Sequence, residues 1–279
     1  MKIGESLGLI RERFSSAGIE EAPLEAELLM RHVLKLDAVA FLNNLGRELP
    51  SEQERLIDSL AACRLSGKPL AYITGKREFY GLEFVINPSV LIPRPETEHL
   101  VEKTLEIASR MRSPAIADIG TGSGAIAISL ALNLPQAWIY ATDISPEALE
   151  LARLNARQHK VESRITFLLG DLTAPLPEPV DMLIANLPYV KSLDCATSPE
   201  PHLALDGGVE GLDVIERLCG SLHGKLKAGG WVLLEIGQGQ EERVKRLLSA
   251  ALPFAQIGTI KDLAGIERVV WGRIDDIII

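Results

Sequence analysis

Cysteine is scarce in this chain of 279 residues. Cys63, Cys195 and Cys219 are far apart and lack the spacing of metal ligands. Reduced thiols in a cytoplasmic protein without a metal site are the expected reading. Long hydrophobic runs are missing as well. No stretch reaches the roughly 18 consecutive apolar residues of a membrane span, which argues against a helical membrane protein. The opening residues MKIGESLGLIRERF hold no continuous apolar segment, so no secretory signal is expected. Excess positive charge is also absent: 29 basic residues face 38 acidic ones, for a formal net charge of −9. That balance argues against broad affinity for nucleic acid, where a basic surface supplies most of the attraction. Direct nucleic-acid binding is therefore not expected, although a local basic patch stays open. There is no internal repeat and no low-complexity segment. The closing IDDIII reads as an edge strand or packed tail rather than an address. What is present is ordinary for a soluble globular protein: 47% hydrophobic and 24% charged residues, enough for one large or two modest domains. A monomer is the default expectation.

The texture changes twice along the chain. Residues 1–68 read as a small helical bundle. Ala22, Ala26, Leu29, Val33 and Leu36 fall on one face of a 3.6-residue period. Leu56, Leu60 and Cys63 repeat the pattern after Ser51, an expected N-cap with Glu54 completing a capping box. Gly67 and the Lys68-Pro69 pair stop that helix. Residues 69–95 read as a linker. Aromatic and β-branched residues around Gly81 predict a hairpin near 77–87, and Pro93-Arg94-Pro95 makes a stiff entry into a helix from Glu96 to Arg110. Residues 96–279 form the larger domain. Apolar runs at 115–119, 137–142, 165–169, 181–185 and 231–236 alternate with helical patterns, which predicts βαβ units and a mainly parallel sheet. GDLTAPLPEPVD is too rich in proline to hold a long helix. FAQIGTI and RVVWGRI predict a closing antiparallel hairpin.

The stretch AIADIGTGSGAIAISLAL is the most informative. A strand ends in Asp118. Gly120, Thr121, Gly122, Ser123 and Gly124 follow, and then a helix expected to be amphipathic. Glycines at such a turn let a ligand approach the main chain, and free N–H groups at a helix start favour an anionic group. In doubly wound sheets ligands bind at this edge. GTGSGA also fits a dinucleotide pattern, so a nicotinamide dehydrogenase is an alternative here. Asp143 ends the next strand and suits both hydroxyls of a ribose. Ser145 and Pro146 look like N-cap and first residue of the following helix. Asp171, with Leu172 beside it, ends the third strand, a position suited to the exocyclic amine of a base or to a plain turn. Three carboxylates at successive strand ends disfavour a phosphate ligand and favour ribose, an amine and a cationic centre. S-adenosylmethionine has all of these. The run resembles the class I S-adenosylmethionine-dependent methyltransferases, whose seven-stranded Rossmann-like sheet carries one antiparallel strand.

The fourth strand stops at Asn186-Leu187-Pro188-Tyr189. In methyltransferases that modify amino nitrogens this place holds Asn or Asp, two prolines and an aromatic. A planar NH2 conjugated to a π system is a poor nucleophile. The Asn186 side-chain oxygen and the Leu187 carbonyl would accept its two protons and hold it in line with a methyl sulfonium. Tyr189 would stack on a planar amide or base. The motif alone leaves amide and adenine open, since Asn-Leu-Pro-Tyr also occurs in ribosomal RNA adenine dimethyltransferases. Arg94, Glu96 and Glu98 either cover the cofactor or start a helix favourably. His202 and Glu235 read as structural rather than as a general base.

The flanking segments resolve this choice. PLAYITGKREFYGLEFVINPSVLIPRPETEHLVE, PEPHLALDGGVEGLDVIERL, LLEIGQGQ and DLAGIERVV resemble the release factor glutamine methyltransferases, the HemK or PrmC family, over essentially the whole chain. The resemblance implies a class I methyltransferase domain behind an N-terminal helical domain that binds class I peptide chain release factors. It implies methylation of the side-chain amide nitrogen (N5) of the glutamine in their Gly-Gly-Gln motif, with S-adenosylhomocysteine as product. It assigns Asp118, Gly120 to Gly124, Asp143, Asp171, Leu172 and Asn186 to the cofactor and Asn186 to Tyr189 to the glutamine, with Asn186 catalytic. Leu187 stands where the family has proline, which keeps the carbonyl but loosens φ. An RNA adenine-N6 methyltransferase, and a non-catalytic adaptor that binds the cofactor and a partner, are the alternatives.

Overall fold

Apolar side chains at helical spacing through the first 76 positions produce helices that bury one face each. The computed structural model describes residues 1–275. The last four residues of the closing IDDIII, and with them the expected edge strand or packed tail, lie outside the described residues. The chain divides into two units, Met1–Lys76 and Arg77–Ile279.

The first unit holds α1 (Ile3–Ser16), α2 (Ala22–Leu34), α3 (Ala38–Asn43), α4 (Ser51–Leu65) and α5 (Leu70–Thr74). Its core joins Ile10 and Phe14 of α1 to Ala26, Leu29 and Met30 of α2, Phe41 of α3 and Ile57 and Ala61 of α4. In α2 the buried face is the predicted one. In α4 it is not. Ile57 and Ala61 face the core, whereas Leu56 and Cys63 are exposed and Leu60 packs only at the margin. The two faces differ by one residue, about 100° of rotation, and the small Ala61 lets α4 approach its neighbours. The expected cap also moves. Pro50 takes the N-cap position and Ser51 is the first helical residue, with no side-chain cap.

The second unit begins with a hairpin, β1 (Lys76–Phe79) and β2 (Leu82–Val85), turned by Tyr80 and Gly81 at φ 52° and 69°. Two consecutive left-handed residues match the twist of a tight hairpin. A 3₁₀ turn at Pro95–Thr97 leads into α6 (Glu98–Ala108). Then follow β3 (Ala115–Ile119), α7 (Ala125–Asn133), β4 (Trp138–Asp143), α8 (Pro146–Gln158), β5 (Ile165–Leu169), β6 (Val180–Ala185), α9 (Ser192–Cys195), α10 (His202–Leu205), α11 (Asp213–Gly220), β7 (Leu226–Glu235), α12 (Glu241–Ala251), β8 (Gln256–Lys261) and β9 (Glu267–Arg273). The seven-stranded sheet runs β5-β4-β3-β6-β7-β9-β8. β9 is antiparallel to both β7 and β8, and the remaining pairs are parallel. This is the sheet of a class I methyltransferase.

Local chemistry accounts for the pieces. Ser145 caps α8 by accepting from the Ala148 N–H at 3.1 Å, with Pro146 in the first turn. α7 departs from the amphipathic expectation. Its first seven residues, Ala125 to Ala131, are all buried, because it lies between the sheet and its neighbouring helices rather than at the surface. No helix among the described residues is long and apolar enough to cross a membrane.

Candidate active site

Strand register brings the predicted residues together. Ile119 pairs with Thr142 on one side and Ala185 on the other, and Asp143 pairs with Leu169. Gly120, Ile144, Gly170 and Asn186 therefore leave the sheet at one level. The edge is carboxyl-terminal and lies where the strand order reverses, between β3 and β6, which is where open α/β sheets hold ligands.

A cavity opens there. Gly120, Thr121, Gly122 and Ser123, Asp143, Asp171 and Leu172, and Asn186, Leu187 and Pro188 line it. Phe79, Val90, Pro93, Thr97, Leu203, Val214 and Arg217 line it as well. Asp118, Gly124 and Tyr189 are not among the lining residues.

Asp118 was expected at the cofactor, but it is fully buried beneath the glycine loop. One oxygen accepts from the Thr121 hydroxyl at 2.6 Å and from the Ala127 N–H at 3.2 Å, and the other has no partner. Burial, reinforced by nearby Asp143 and opposed by these two bonds, pushes its carboxyl up to about 7. Between roughly pH 4 and pH 7 the unfolded chain then releases a proton that the folded chain keeps. Stability is fully present at the acid end of that window and falls as pH rises through it. A tenfold change in proton affinity corresponds to about 1.4 kcal/mol. We expect urea unfolding of the ligand-free protein at pH 5, 6, 7 and 8 to show a decline of a few kcal/mol. Asp118→Asn, a neutral isostere, should flatten part of the decline. Glu235, also pushed up to about 7 by burial, should sustain the rest.

The glycine loop itself does not behave as a phosphate cradle. The N–H groups of Gly120 and Thr121 both donate to the Thr142 carbonyl at 2.9 Å, and that of Gly124 donates to the Thr121 carbonyl at 2.8 Å. Gly122 N–H donates to Asp143 at 2.8 Å. These donors are spent within the protein, so the anion-binding expectation drawn from the sequence does not hold for them. Gly120 has a further constraint. At φ +73°, a Cβ there would stand 3.0 Å from Leu187 Cδ2. Leu187 thus packs its side chain where the two chain segments pass, which a proline would do differently.

Asp143 accepts from Ser145 N–H at 2.9 Å as well as from Gly122. Burial raises its pKa, and these bonds oppose the rise. Each oxygen retains a lone pair for a further donor. Asp171 is half exposed and ion-paired with Arg217 on α11. Arg217 carries no motif and was not anticipated. It lies one turn beyond Val214 on the face of α11 that meets the cavity.

Asn186 Nδ2 donates to Thr97 Oγ1 at 3.0 Å. Tyr189 was expected to stack on the substrate. Its hydroxyl donates to buried Glu235 at 3.1 Å, and burial beside that carboxylate raises its pKa. Its carbonyl accepts from Gln240 Nε2 at 3.0 Å. Arg94, Glu96 and Glu98 do not line the cavity. Arg94 pairs with Glu200, which also accepts the Ile92 N–H at 3.0 Å. Glu98 accepts the Tyr80 N–H at 2.9 Å. These groups tie loops together. His202 lies on α10 outside the lining. Among the described residues no cluster of acidic, histidine and cysteine side chains suits a metal ion.

Comparison with known proteins gives the family. Residues 5–75 match the PrmC N-terminal domain, and residues 113–234 match a methyltransferase domain. The release factor glutamine methyltransferase of Moorella thermoacetica is 42% identical over 275 residues, covering 96% of this chain and 97% of its own. That of Koribacter versatilis is 38% identical over 282 residues, covering 98% and 99%. This chain belongs to the release factor glutamine methyltransferases. Among solved structures, the T. thermophilus 16S rRNA N2 G1207 methyltransferase in complex with AdoMet and guanosine resembles this release factor glutamine methyltransferase in fold. The TM-score is 0.52 at 16% identity, over 71% of this chain and 49% of that one.

Proposed function

We propose that this methyltransferase transfers a methyl group from S-adenosylmethionine to the side-chain amide nitrogen, N5, of the glutamine in the Gly-Gly-Gln motif of class I release factors. The observation that carries the reading is the Asn186 amide. Its NH2 is committed to Thr97, which leaves its oxygen as an acceptor beside the cavity that Leu187 and Pro188 also line. An acceptor is what an NH2 substrate needs, because it takes one proton in a hydrogen bond and orients the nitrogen lone pair. The Leu187 carbonyl is the second acceptor.

The cavity chemistry fits S-adenosylmethionine. Its lining acids are Asp143 and Asp171, and the arginine at its wall, Arg217, is already paired with Asp171. With the N–H groups of Gly120, Thr121, Gly122 and Gly124 bonded within the protein, a phosphate-bearing cofactor has few loop donors to bind. A ribose against Asp143, an adenine bordered by Asp171 and Leu172, and a methionine part along Gly120–Ser123 match the donors and acceptors present. The group, when bound, supplies the methyl on a sulfonium. The residues described here hold the nucleophile, exclude water and keep the amide oriented. Asp118 acts one step back by fixing Thr121 and the start of α7.

The first unit matches the PrmC N-terminal domain and holds no cluster of chemical residues, which supports a role in gripping the release factor. We place the enzyme in the cytoplasm and expect it to act as a monomer. Incubation with labelled S-adenosylmethionine and a purified class I release factor should label one glutamine, located by peptide mass spectrometry. Label on ribosomal RNA with none on the factor would overturn the reading in favour of adenine.

A further inference from the structure

We propose that Thr97 is the positioning residue that decides which end of the Asn186 amide meets the substrate. The proposal rests on the reading that the Asn186 oxygen accepts a proton of the substrate amide.

An asparagine side chain is nearly symmetric in shape but has opposite polarity at its two ends, so something must choose between two orientations half a turn apart. Thr97 is well placed to do so. It sits in the 3₁₀ turn at Pro95–Thr97 with its own N–H donating to the Arg94 carbonyl at 3.1 Å. It is 4% exposed. Its hydroxyl oxygen accepts from Asn186 Nδ2 at 3.0 Å, and the hydroxyl favours the charged form of the Glu235 carboxyl, whose buried Oε2 has no hydrogen-bond partner. Glu235 at the end of β7 is 1% exposed and accepts the Tyr189 hydroxyl at 3.1 Å.

The polarity of this chain is one-way. An ionised carboxylate only accepts. Above about pH 7, where Glu235 is ionised, its buried and unpartnered Oε2 draws the single hydroxyl proton of Thr97, so the Thr97 oxygen can only accept from Asn186. The NH2 of Asn186 must therefore face Thr97, and the oxygen is left for the cavity. The reversed orientation would set the Asn186 oxygen against the Thr97 oxygen and present NH2 to the substrate's NH2, donor against donor. Glu235 thereby supports both ends of the turn, Asn186 through Thr97 and Tyr189 directly. Thr97 lies 89 positions before Asn186, outside the glycine loop and the Asn-Leu-Pro-Tyr stretch.

The test is steady-state methyl transfer to a purified release factor by full-length wild type, Thr97→Val, Thr97→Ala, Thr97→Ser and Asn186→Ala. S-adenosylmethionine affinity and the melting temperature are measured on each. Thr97→Val and Thr97→Ala should lower kcat by about ten- to a hundred-fold with cofactor affinity within about threefold of wild type, in keeping with the loss of one orienting hydrogen bond at the reacting group. Thr97→Ser, which keeps the hydroxyl, should restore most of kcat. A merely structural role predicts instead that kcat follows melting temperature and that serine rescues no better than alanine, and that result would overturn the proposal. Wild-type kcat in both Thr97→Val and Thr97→Ala, with loss in Asn186→Ala, would sink the Thr97 proposal alone. Retention of kcat in Asn186→Ala would overturn the functional reading beneath it.

Discussion

Replacing Asn186 by alanine is expected to lower kcat for methyl transfer by roughly 10²–10³ while S-adenosylmethionine binds within a few-fold of its normal affinity. The magnitude is that of removing one preorganised hydrogen-bond partner from a reacting centre. An amide NH2 gives its lone pair to the carbonyl, so the enzyme must favour charge on nitrogen as the new bond forms. The Asn186 oxygen does this best when already fixed, and its NH2 is held by Thr97 at 3.0 Å. Asn186→Asp keeps an acceptor but turns an oxygen toward Thr97, so it should fall between wild type and alanine. Cofactor affinity resides mainly elsewhere, on the loop at 120–123 and on Asp143, and equilibrium titration of S-adenosylmethionine separates the two effects. A parallel loss of affinity and kcat in Asn186→Ala would show that the residue holds the cofactor rather than the nucleophile.

The largest loss of stability is expected from Gly211→Ala. Gly211 has φ +75°, and a Cβ there would stand 2.4 Å from the Tyr189 carbonyl oxygen and 2.9 Å from Gln240 Nε2. The crowding falls on backbone. Gln240 bridges the two strands of chain, donating to the Tyr189 carbonyl at 3.0 Å and the Gly211 carbonyl at 3.1 Å while accepting from Gly237 N–H at 2.8 Å. Relief requires moving the 186–189 turn. Left-handed strain of about 1–2 kcal/mol for a residue with Cβ adds to an overpacking cost of about 1–3 kcal/mol, so a loss of roughly 3 kcal/mol in urea unfolding is expected, together with most of the activity. Gly208→Ala is the informative control. Its Cβ would fall 1.9 Å from Asp213 Oδ2, closer still, yet the obstacle is the end of a side chain that can rotate. Only the backbone strain should remain, and the smaller loss should leave the 186–189 turn in place.

Several features of the site were legible because they are local. A strand, three glycines and a helix within 20 positions encode a turn, and Ser145-Pro146 encodes a helix start. An apolar run stopped by Asn186-Leu187-Pro188-Tyr189 encodes a strand end with a polar amide on it. What was not legible involves remote partners. Tyr189 carries an aromatic ring that suits a planar substrate, and the partner of its hydroxyl, Glu235, lies 46 positions away. The N–H groups of Gly120, Thr121 and Gly122 looked free, but Thr142 and Asp143 on the next strand accept them. In α4 the spacing of Leu56, Leu60 and Cys63 is as regular as that of the true core face. Spacing alone does not say which of two faces one residue apart meets a neighbour.

The sequence by itself determined the order of strands and helices, the strand-end positions of the functional residues, and the resemblance that the family match bears out. It did so because turn chemistry and apolar periodicity act over a few residues. Only the tertiary structure decided which side chains share the cavity wall, that Asp118 lies sealed beneath it, and that Thr97 and Glu235 stand behind Asn186. Those placements depend on sheet register and on hydrogen bonds between positions dozens of residues apart. The direction in which a side-chain amide points depends on the polarity of neighbours brought there by folding.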